Sequence, residues 1–280
     1  MLRKGIALAA LGLALLAGSA QAATHPKEPE KLQWSFEGPF GKFDQAQLQR
    51  GYKVYREVCS SCHAMSQVYF RNLGQKGGPF YDSKYPNPND NPYVKALAAD
   101  IQVGDIDSET GDPIQRPATS ADHFPSPFPN EAAARGANGG AIPPDLSYIS
   151  KAREGGPDYI YSLLIGYVNP PAGLTIQPGQ HYNPYFPGDL TASWTGKGHV
   201  PQGGVLAMPP PLSPDRVTFD DGTRSTVAQQ SRDVAAFLAW AAEPKMEERK
   251  SFGLAAMIYL LILTGLVYAS YRRIWRNVAH

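Results

Sequence analysis

The two cysteines of the chain occur in one short segment, Cys59-Ser60-Ser61-Cys62-His63. Two cysteines separated by two residues and followed at once by a histidine form the pattern that is typical of covalent c-type haem attachment. Thiols about one turn apart can add to the two vinyl groups at one haem edge, and the adjoining His63 is then held beneath the iron as an axial ligand. The segment predicts one haem c per chain, attached through Cys59 and Cys62.

Three other kinds of site could use this pair of cysteines. A structural disulfide needs only two oxidised thiols, but it gives no role to the histidine that follows them. A thioredoxin-like redox pair belongs at a junction of strand and helix, a pattern that this stretch lacks. A zinc site needs two further ligands, and the remaining histidines show no H-x₃₋₅-H spacing. Those histidines are His25, His123, His181, His199 and His280.

An electron carrier needs a sixth ligand from the opposite face of the haem, and methionine in that place raises the reduction potential. Met1 and Met257 lie in apolar segments at the two ends of the chain, and Met65 follows the histidine too closely to reach the far face. Met208 and Met246 remain. Met208 is the better candidate, because its neighbours are apolar and three prolines follow it in an extended stretch. The alternative is that Met208 is an ordinary core methionine.

Local signals predict the helices around these residues. Asp44 can cap a helix, with Gln47 reaching back. That helix would present one stripe of five residues: Leu48, Tyr52, Tyr55, Cys59 and Cys62. Further helices are predicted over 130–135, capped by Asn130, over 158–168 and over 226–242. The helix over 226–242 is expected to pack against the cysteine-bearing helix.

The composition favours long irregular connections. The chain has 26 prolines and 27 glycines among its 280 residues, without a repeating period. The stretches 75–92 and 188–204 are turn-rich and predict surface loops. The expected fold is a mostly α domain with long irregular loops and one C-terminal transmembrane helix.

The N-terminal segment predicts a secretory signal peptide over residues 1–22. Arg3 and Lys4 precede an apolar run over 6–17, and Ala20-Gln21-Ala22 offers a cleavage site of small residues. A mitochondrial transit peptide would be amphipathic and rich in Arg and Ser, so the continuous apolar run favours bacterial export. The domain over 23–250 is therefore expected in the periplasm.

The C-terminal segment predicts a membrane anchor over 251–272. Residues 252–271 contain no charged side chain and are long enough to span a bilayer as a helix. Arg272, Arg273 and Arg276 follow directly, which argues against the alternative of a buried core helix. The expected localisation is the bacterial inner membrane, crossed once, with a cytoplasmic tail over 273–280.

The charges exclude one class of partner and suggest another. Lys and Arg number 26 against 25 Asp and Glu, a net charge of +1 that gives no long-range attraction for nucleic acid. Without Arg3 and Lys4, 24 basic and 25 acidic side chains remain. A slightly acidic domain could steer a basic soluble partner, so the acidic pair Asp220 and Asp221 is a docking candidate. The alternative is that these charges are merely solvated and that an apolar rim makes the contact.

Six further segments accompany the cysteine motif in a specific order. They are YFRNL at 69–73, PFPNEAAAR at 127–135, IPPDLS at 142–147, NPYFPG at 183–188, DDGT at 220–223 and WAAEP at 240–244. From the cysteine motif to the anchor, the chain resembles the cytochrome c1 family of bacterial type. Members of that family are the c-type haem subunits of the ubiquinol-cytochrome c oxidoreductase, or cytochrome bc1, complex.

The resemblance implies roles for individual residues in a cytochrome c-like haem domain. His63 and Met208 correspond to the two axial ligands of the iron. Arg153 matches the position whose guanidinium pairs with a haem propionate, and Tyr159 falls where the family has an aromatic residue near the haem. Taken alone, Arg153 would be interpreted as a solvated arginine, so its role depends on the resemblance.

The resemblance also implies a function in electron transfer rather than an enzyme in the isolated chain. The haem would accept an electron from the Rieske iron-sulfur protein and pass it to a soluble or membrane-bound cytochrome c or c2, beside cytochrome b, during ubiquinol oxidation. One alternative is a haem peroxidase or sensor with an open sixth position. Another is a haem-tethered anchor for a different oxidase.

Two features depart from the family pattern. Some bacterial relatives have a further cysteine pair that braces the domain near the methionine ligand, and this sequence has no third cysteine. The loop over 190–204 also looks longer than in mitochondrial members. Packing or hydrogen bonding must therefore hold the Met208 segment in place.

Overall fold

A computed structural model describes residues 25–278, so the predicted signal peptide over 1–22 lies outside the described residues. The helices are α1 (Gln45–Glu57), α2 (Phe70–Gly74), α3 (Pro92–Ala99), α4 (Glu131–Ala137), α5 (Ile149–Ala152), α6 (Gly156–Ile165), α7 (Val227–Ala242) and α8 (Met246–Trp275). The strands are β1 (Gln102–Ile106), β2 (Pro113–Pro117), β3 (His181–Asn183) and β4 (Gly204–Leu206). Short 3₁₀ turns occupy Cys59–Ser61, Pro88–Asp90 and Thr191–Ser193.

The main core forms where α1 packs against α7. A side chain at Gly51 would collide with the backbone oxygen of Asp233 and with Cβ of Phe237, so the close approach of the two helices depends on a glycine at this position. Tyr52 and Tyr55 pack against the ring of Phe237, with centroid distances of 5.7 and 5.8 Å. The predicted pairing of these two helices is confirmed.

A buried carboxylate fixes the same helix pair. Asp233 of α7 is fully buried, and its Oδ2 accepts from Nε of Arg50 on α1 at 2.7 Å. The side-chain amides of Gln47 and Gln229 also donate to this carboxylate, at 3.2 and 2.9 Å. A buried charge is tolerated only with such partners. The network therefore sets the rotation of α1 on α7.

The α-helix ends before the cysteine motif, which corrects the predicted stripe. α1 stops at Glu57, and a 3₁₀ turn follows over Cys59–Ser61. Ser60 and Ser61 donate their hydroxyls to the carbonyls of Arg56 and Val58, at 2.6 and 2.8 Å. Such side-chain bonds compete with continuation of the helix. The other members of the stripe are buried in the helix as predicted: Leu48, Tyr52 and Tyr55.

The capped helices agree with their sequence signals, whereas α6 is displaced. Asn130 accepts from the amide of Ala133 at 2.9 Å to cap α4, and Thr226 caps α7 in the same way. The helix predicted over 158–168 begins two residues earlier, after Gly155, whose φ of +82° suits a glycine. It ends three residues earlier than predicted, because the chain turns at Gly166, where a side chain would meet Tyr185.

Two small antiparallel sheets occur where the sequence predicts only irregular chain. β1 pairs with β2, and β3 pairs with β4 from His181 opposite Leu206 to Asn183 opposite Gly204. Strands of three to five residues give too little alternation to be recognised. The β3–β4 sheet lies over a hydrophobic cluster separate from the main core, whose buried members are Leu174, Tyr182 and Leu190.

The last helix, α8, follows the core helix α7 after only three residues. α8 has 30 residues and a mean hydropathy of 2.1 over its most apolar 18-residue window, enough to cross a membrane. It begins before the predicted anchor, and its first turns are tied to the domain. Lys250 donates to the carbonyl of Phe36 at 2.6 Å, and Glu247 accepts from the amide of Phe43 at 3.0 Å. The mostly α fold with one C-terminal membrane-length helix is confirmed.

Candidate functional site

The cysteine motif is folded into one tight turn. The amides of Cys62 and His63 both donate to the carbonyl of Cys59, at 3.1 and 2.9 Å. Both cysteines are free thiols, and Cys59 packs against the main core. The turn thus presents two thiols and one imidazole within five residues at the end of α1.

A backbone hydrogen bond orients the imidazole of His63. Its Nδ1 lies 2.8 Å from the carbonyl oxygen of Pro144. Because a carbonyl can only accept, Nδ1 carries the hydrogen and Nε2 keeps a free lone pair. Burial lowers the pKa of His63, and the bond to Pro144 offsets this only in part. A neutral imidazole with a free Nε2 is the form that binds a metal ion.

The segment that bears Pro144 is itself fixed to the chain after the motif. The amide of Leu146 donates to the carbonyl of Ala64 at 2.8 Å, and the carboxylate of Asp145 accepts from the amide of Ser66 at 2.9 Å. Burial would raise the pKa of Asp145, but hydrogen bonds from Ser147 and Ser66 outweigh it and lower the pKa. The support of the histidine is therefore a rigid pairing of two backbone segments.

The two thiols are poorly suited to a zinc site. Burial, with a smaller contribution from Cys62, raises the pKa of Cys59 to about 12, whereas zinc binds the thiolate. Over residues 25–278, no group of three or more His, Cys, Asp or Glu side chains is placed to hold a metal ion. Two free thiols that no disulfide joins are suited to thioether formation with a haem.

Met208 lies in a segment that we call the Met208 arm, residues 204–213, which comprises β4 and the proline run after it. Its side chain is half-buried, and its carbonyl accepts from the hydroxyl of Tyr167 at 3.1 Å. The arm is also tied at its far end, where Gln230 of α7 donates to the carbonyl of Ser213 at 2.8 Å. The other candidate, Met246, is buried at the first residue of α8.

Arg153 and Tyr159 are neighbours around the start of α6. Burial raises the pKa of Tyr159, and the charge and hydrogen bond of Arg153 partly offset that rise. Arg153 is exposed, so its guanidinium can reach a further anion. Burial also raises the pKa of Tyr167, and Tyr159 adds to the effect. Four residues thus form a continuous series of neighbours beside α6: Arg153, Tyr159, Tyr167 and Met208.

The chemistry of these groups fits a c-type haem. The thiols can form thioethers, the imidazole nitrogen and the thioether sulfur are the ligand pair of cytochromes c, and a guanidinium is a natural partner for a carboxylate. Residues 34–278 match the model of the Cytochrome C1 family. The chain belongs to the cytochrome c1 family.

Relatives of this family are similar along nearly the whole chain. Cytochrome c1 of Rhodospirillum rubrum is 41% identical, over 98% of this chain and 97% of that protein. Cytochrome c1 1, heme protein, mitochondrial, of Arabidopsis thaliana is 44% identical over 91% of this chain and 75% of its own length. A protein named cytochrome b/c1 from Bradyrhizobium diazoefficiens is 45% identical over 97% of this chain, which spans only 39% of that longer protein.

Membership of the family gives the coarse function. The chain is a haem-carrying electron-transfer subunit of the cytochrome bc1 complex. The similarity to a bacterial member and the apolar helix α8 fit a single-pass membrane protein.

The predicted docking residues, Asp220 and Asp221, lie beside α1 and pair with its basic side chains. Asp220 accepts from Nζ of Lys53 at 2.8 Å, and Asp221 accepts from Arg50 at 2.7 Å. These ion pairs offset part of the negative charge that made the two aspartates docking candidates. Their role in docking stays a prediction.

Three residues of the site could not be identified from side-chain types alone. Pro144 acts through its carbonyl, Tyr167 through a bond to a backbone oxygen, and Asn183 through a bond from its amide to the carbonyl of Leu163 at 2.8 Å. For Pro144 and Asn183, there was one indication in the sequence, which is that both lie in segments that match the family. Tyr167 lies in no such segment.

Proposed function

We propose that this member of the cytochrome c1 family accepts single electrons from the Rieske iron-sulfur protein and delivers them to a cytochrome c or c2 during ubiquinol oxidation. The observation that carries the proposal is the turn of Cys59, Cys62 and His63, in which Pro144 fixes the imidazole with Nε2 free. One covalently bound haem c supplies a one-electron iron couple to this site.

The residues of the site have distinct roles in this proposal. Cys59 and Cys62 would form the thioether bonds that hold the haem, and His63 and Met208 would bind its iron. Arg153 would pair with a propionate, and Tyr159, its neighbour, would lie near the haem. Because side chains would fill both ligand positions, the haem would transfer electrons without binding a substrate at the iron. This arrangement distinguishes the proposal from a peroxidase or a sensor, in which one position is open.

The proposed topology follows from the two ends of the chain. A cleaved signal over 1–22 places the domain over 23–250 in the periplasm, and α8 crosses the bacterial inner membrane once. Residues 273–280 then lie on the cytoplasmic side, next to Arg272 at the end of the apolar stretch. In this position the domain lies beside cytochrome b, on the side of the membrane where a soluble cytochrome can approach.

The ligand assignment is tested by Met208→Leu in the purified complex. Thioether ligation favours ferrous iron, so its loss should lower the reduction potential by an amount on the order of 100 mV or more. Carbon monoxide should then bind the reduced protein, while haem remains covalently attached in a denaturing gel.

The matched control is Met246→Leu, which changes the other candidate in the same way and should keep the parent potential. A parent potential and no carbon monoxide binding in Met208→Leu would refute the assignment. The same response in Met246→Leu instead would move the sixth ligand to α8.

A further inference from the structure

We infer that Tyr167 is a positioning residue for Met208, and that its hydroxyl holds the backbone of Met208 where the side chain can serve as a ligand. The inference rests on the proposed function, because it takes Met208 as the sixth ligand. It assigns to Tyr167 a role in ligand exchange and reduction potential, beyond a contribution to folding.

The Met208 arm has little else to fix its centre. The hydroxyl of Tyr167 donates to the carbonyl of Met208 at 3.1 Å. In the described part of the chain, this is the single hydrogen bond that residues 208–212 make. Pro209, Pro210 and Pro211 have no amide hydrogen, so the stretch cannot extend the β3–β4 ladder. The nearest other attachments are β4, which ends at Leu206, and Leu212, which packs against the main core, so only this bond holds Met208 itself.

Tyr167 is well placed to provide a fixed point. It follows α6, a helix that packs against α7 in the main core. Gly166 lies so close to Tyr185 and Ser162 that any side chain there would meet their atoms at 2.5 and 2.6 Å. Asn183 of β3 donates to the carbonyl of Leu163 in α6 at 2.8 Å. The end of α6 is thus fixed on several sides before Tyr167 reaches the arm.

The hydroxyl remains a donor under ordinary conditions. A tyrosine hydroxyl carries its hydrogen at neutral pH, and the carbonyl of Met208 can only accept. One side of the residue borders an open cleft of about 550 Å³, which His181 and Gln180 also line. Water from this cleft can satisfy the carbonyl of Met208 if the hydroxyl is removed. Removal should therefore release the position of the methionine without leaving a buried carbonyl unpaired.

The chain offers a matched comparison just before the arm. Tyr182 also donates its hydroxyl to a backbone carbonyl, that of Gln202, at 2.6 Å. Gln202 precedes β4 and lies six residues before Met208, so loss of this bond loosens the loop before the arm but does not free the ligand. Tyr167→Phe and Tyr182→Phe remove the same chemical group and keep the ring, so both variants should fold.

The experiment measures the reduction potential and carbon monoxide binding of both variants in the purified complex. Tyr167→Phe should lower the potential and raise the fraction that binds carbon monoxide about fivefold, the change in population that loss of one neutral hydrogen bond produces. Tyr182→Phe should match the parent in both measurements. Parent values in Tyr167→Phe, or equal changes in the two variants, would overturn the inference.

Met208→Leu, measured in parallel, separates the two proposals. If Met208→Leu responds and Tyr167→Phe does not, the ligand assignment stands and the positioning role is wrong. If Met208→Leu is silent, the ligand assignment itself is wrong, and the inference is wrong with it.

Discussion

The two proposed axial ligands come from regions of very different construction. His63 follows α1, which packs on α7 through a glycine contact and a fully buried aspartate, Asp233. Met208 follows β4, a three-residue strand over a small separate cluster of buried residues. The histidine side is part of the main core, whereas the methionine side is an arm fixed at a few points.

Because of this difference, we expect the two proposed ligands to be released from the iron by different kinds of unfolding. Segments with few buried apolar contacts can open locally, at a lower cost than global unfolding. Release of His63 should require unfolding of the domain, because α1 belongs to the main core. We expect the Met208 arm to detach while the rest of the domain stays folded.

The largest expected effect is on the histidine side, from Gly51→Ala. The new methyl group would collide with the backbone of Asp233 and with Phe237, and the two helices would have to move apart. We expect a loss of about 3 kcal/mol in the free energy of unfolding, at the upper end of the usual cost of overpacking. Denaturant titration of the haem-containing domain measures it.

The control for this change is Gly136→Ala in α4, where nothing lies within 4 Å of the added methyl group. Alanine should stabilise that helix by about 0.5 kcal/mol. Equal stabilities for the two variants would mean that the contact of α1 with α7 does not limit the stability of the domain.

A smaller effect is expected on the methionine side, from Asn183→Ala. This fully buried residue donates to Leu163 and accepts from the amide of Tyr185 at 3.0 Å. Its loss should cost about 1–2 kcal/mol, concentrated where β3 fastens the end of α6 just before Tyr167. Hydrogen exchange should quicken in β3 and β4, and carbon monoxide binding should increase.

Asn138→Ala is the matched control, because Asn138 donates a similar bond to the carbonyl of Ala134 in α4 at 2.7 Å. It should leave carbon monoxide binding unchanged. If Asn183→Ala lowers global stability without affecting carbon monoxide binding, the arm does not open separately and the contrast between the two regions is wrong.

Arg153 sharpens the comparison, because it should alter the potential without loosening either ligand. A guanidinium beside a propionate disfavours the ferric form, so Arg153→Ala should lower the potential by about 60 mV, a tenfold change in a one-electron equilibrium. Arg153→Lys should recover only part, since the bidentate geometry is lost. Redox titration with unchanged carbon monoxide binding is the expected result, and parent potentials in both variants would make Arg153 a surface residue.

The smallest effect is expected from Asp220→Asn combined with Asp221→Asn. Their ion pairs with Lys53 and Arg50 leave a weakened field for steering a basic cytochrome. We expect the rate of electron transfer to a soluble cytochrome to fall with ionic strength, and the double variant to reduce that dependence slightly. If the double variant keeps the parent dependence on ionic strength, an apolar rim rather than these two aspartates makes the docking contact.

The same contrast explains which features the sequence predicts. The caps at Asp44 and Asn130 are local signals, and the helices that follow them are found where expected, as is the helix predicted over 226–242. The cysteine motif is equally local. The end of α1 before Cys59 was missed, because the hydroxyls of two serines compete for helix carbonyls within the motif itself.

Distant pairings were beyond the reach of local patterns. β3 and β4 are short and separated by a long loop, and β4 leads directly to Met208. The supports of both proposed ligands are backbone carbonyls or bonds to them, at Pro144 and at Tyr167. No residue type in the sequence marks such a partner, so the site could be predicted as a set of ligands but not as a set of supports.

The short junction between α7 and α8 has a consequence for the whole assembly. Three residues, 243–245, join the core helix to the membrane-length helix, and Glu247 and Lys250 fasten the first turns of α8 to the 36–43 segment. A domain mounted in this way has little orientational freedom, and it keeps nearly one height and one tilt above the bilayer. A protein that exchanges electrons with this domain must therefore move to it. That protein must also bring its own redox centre to the edge of the proposed haem in the orientation that α8 sets.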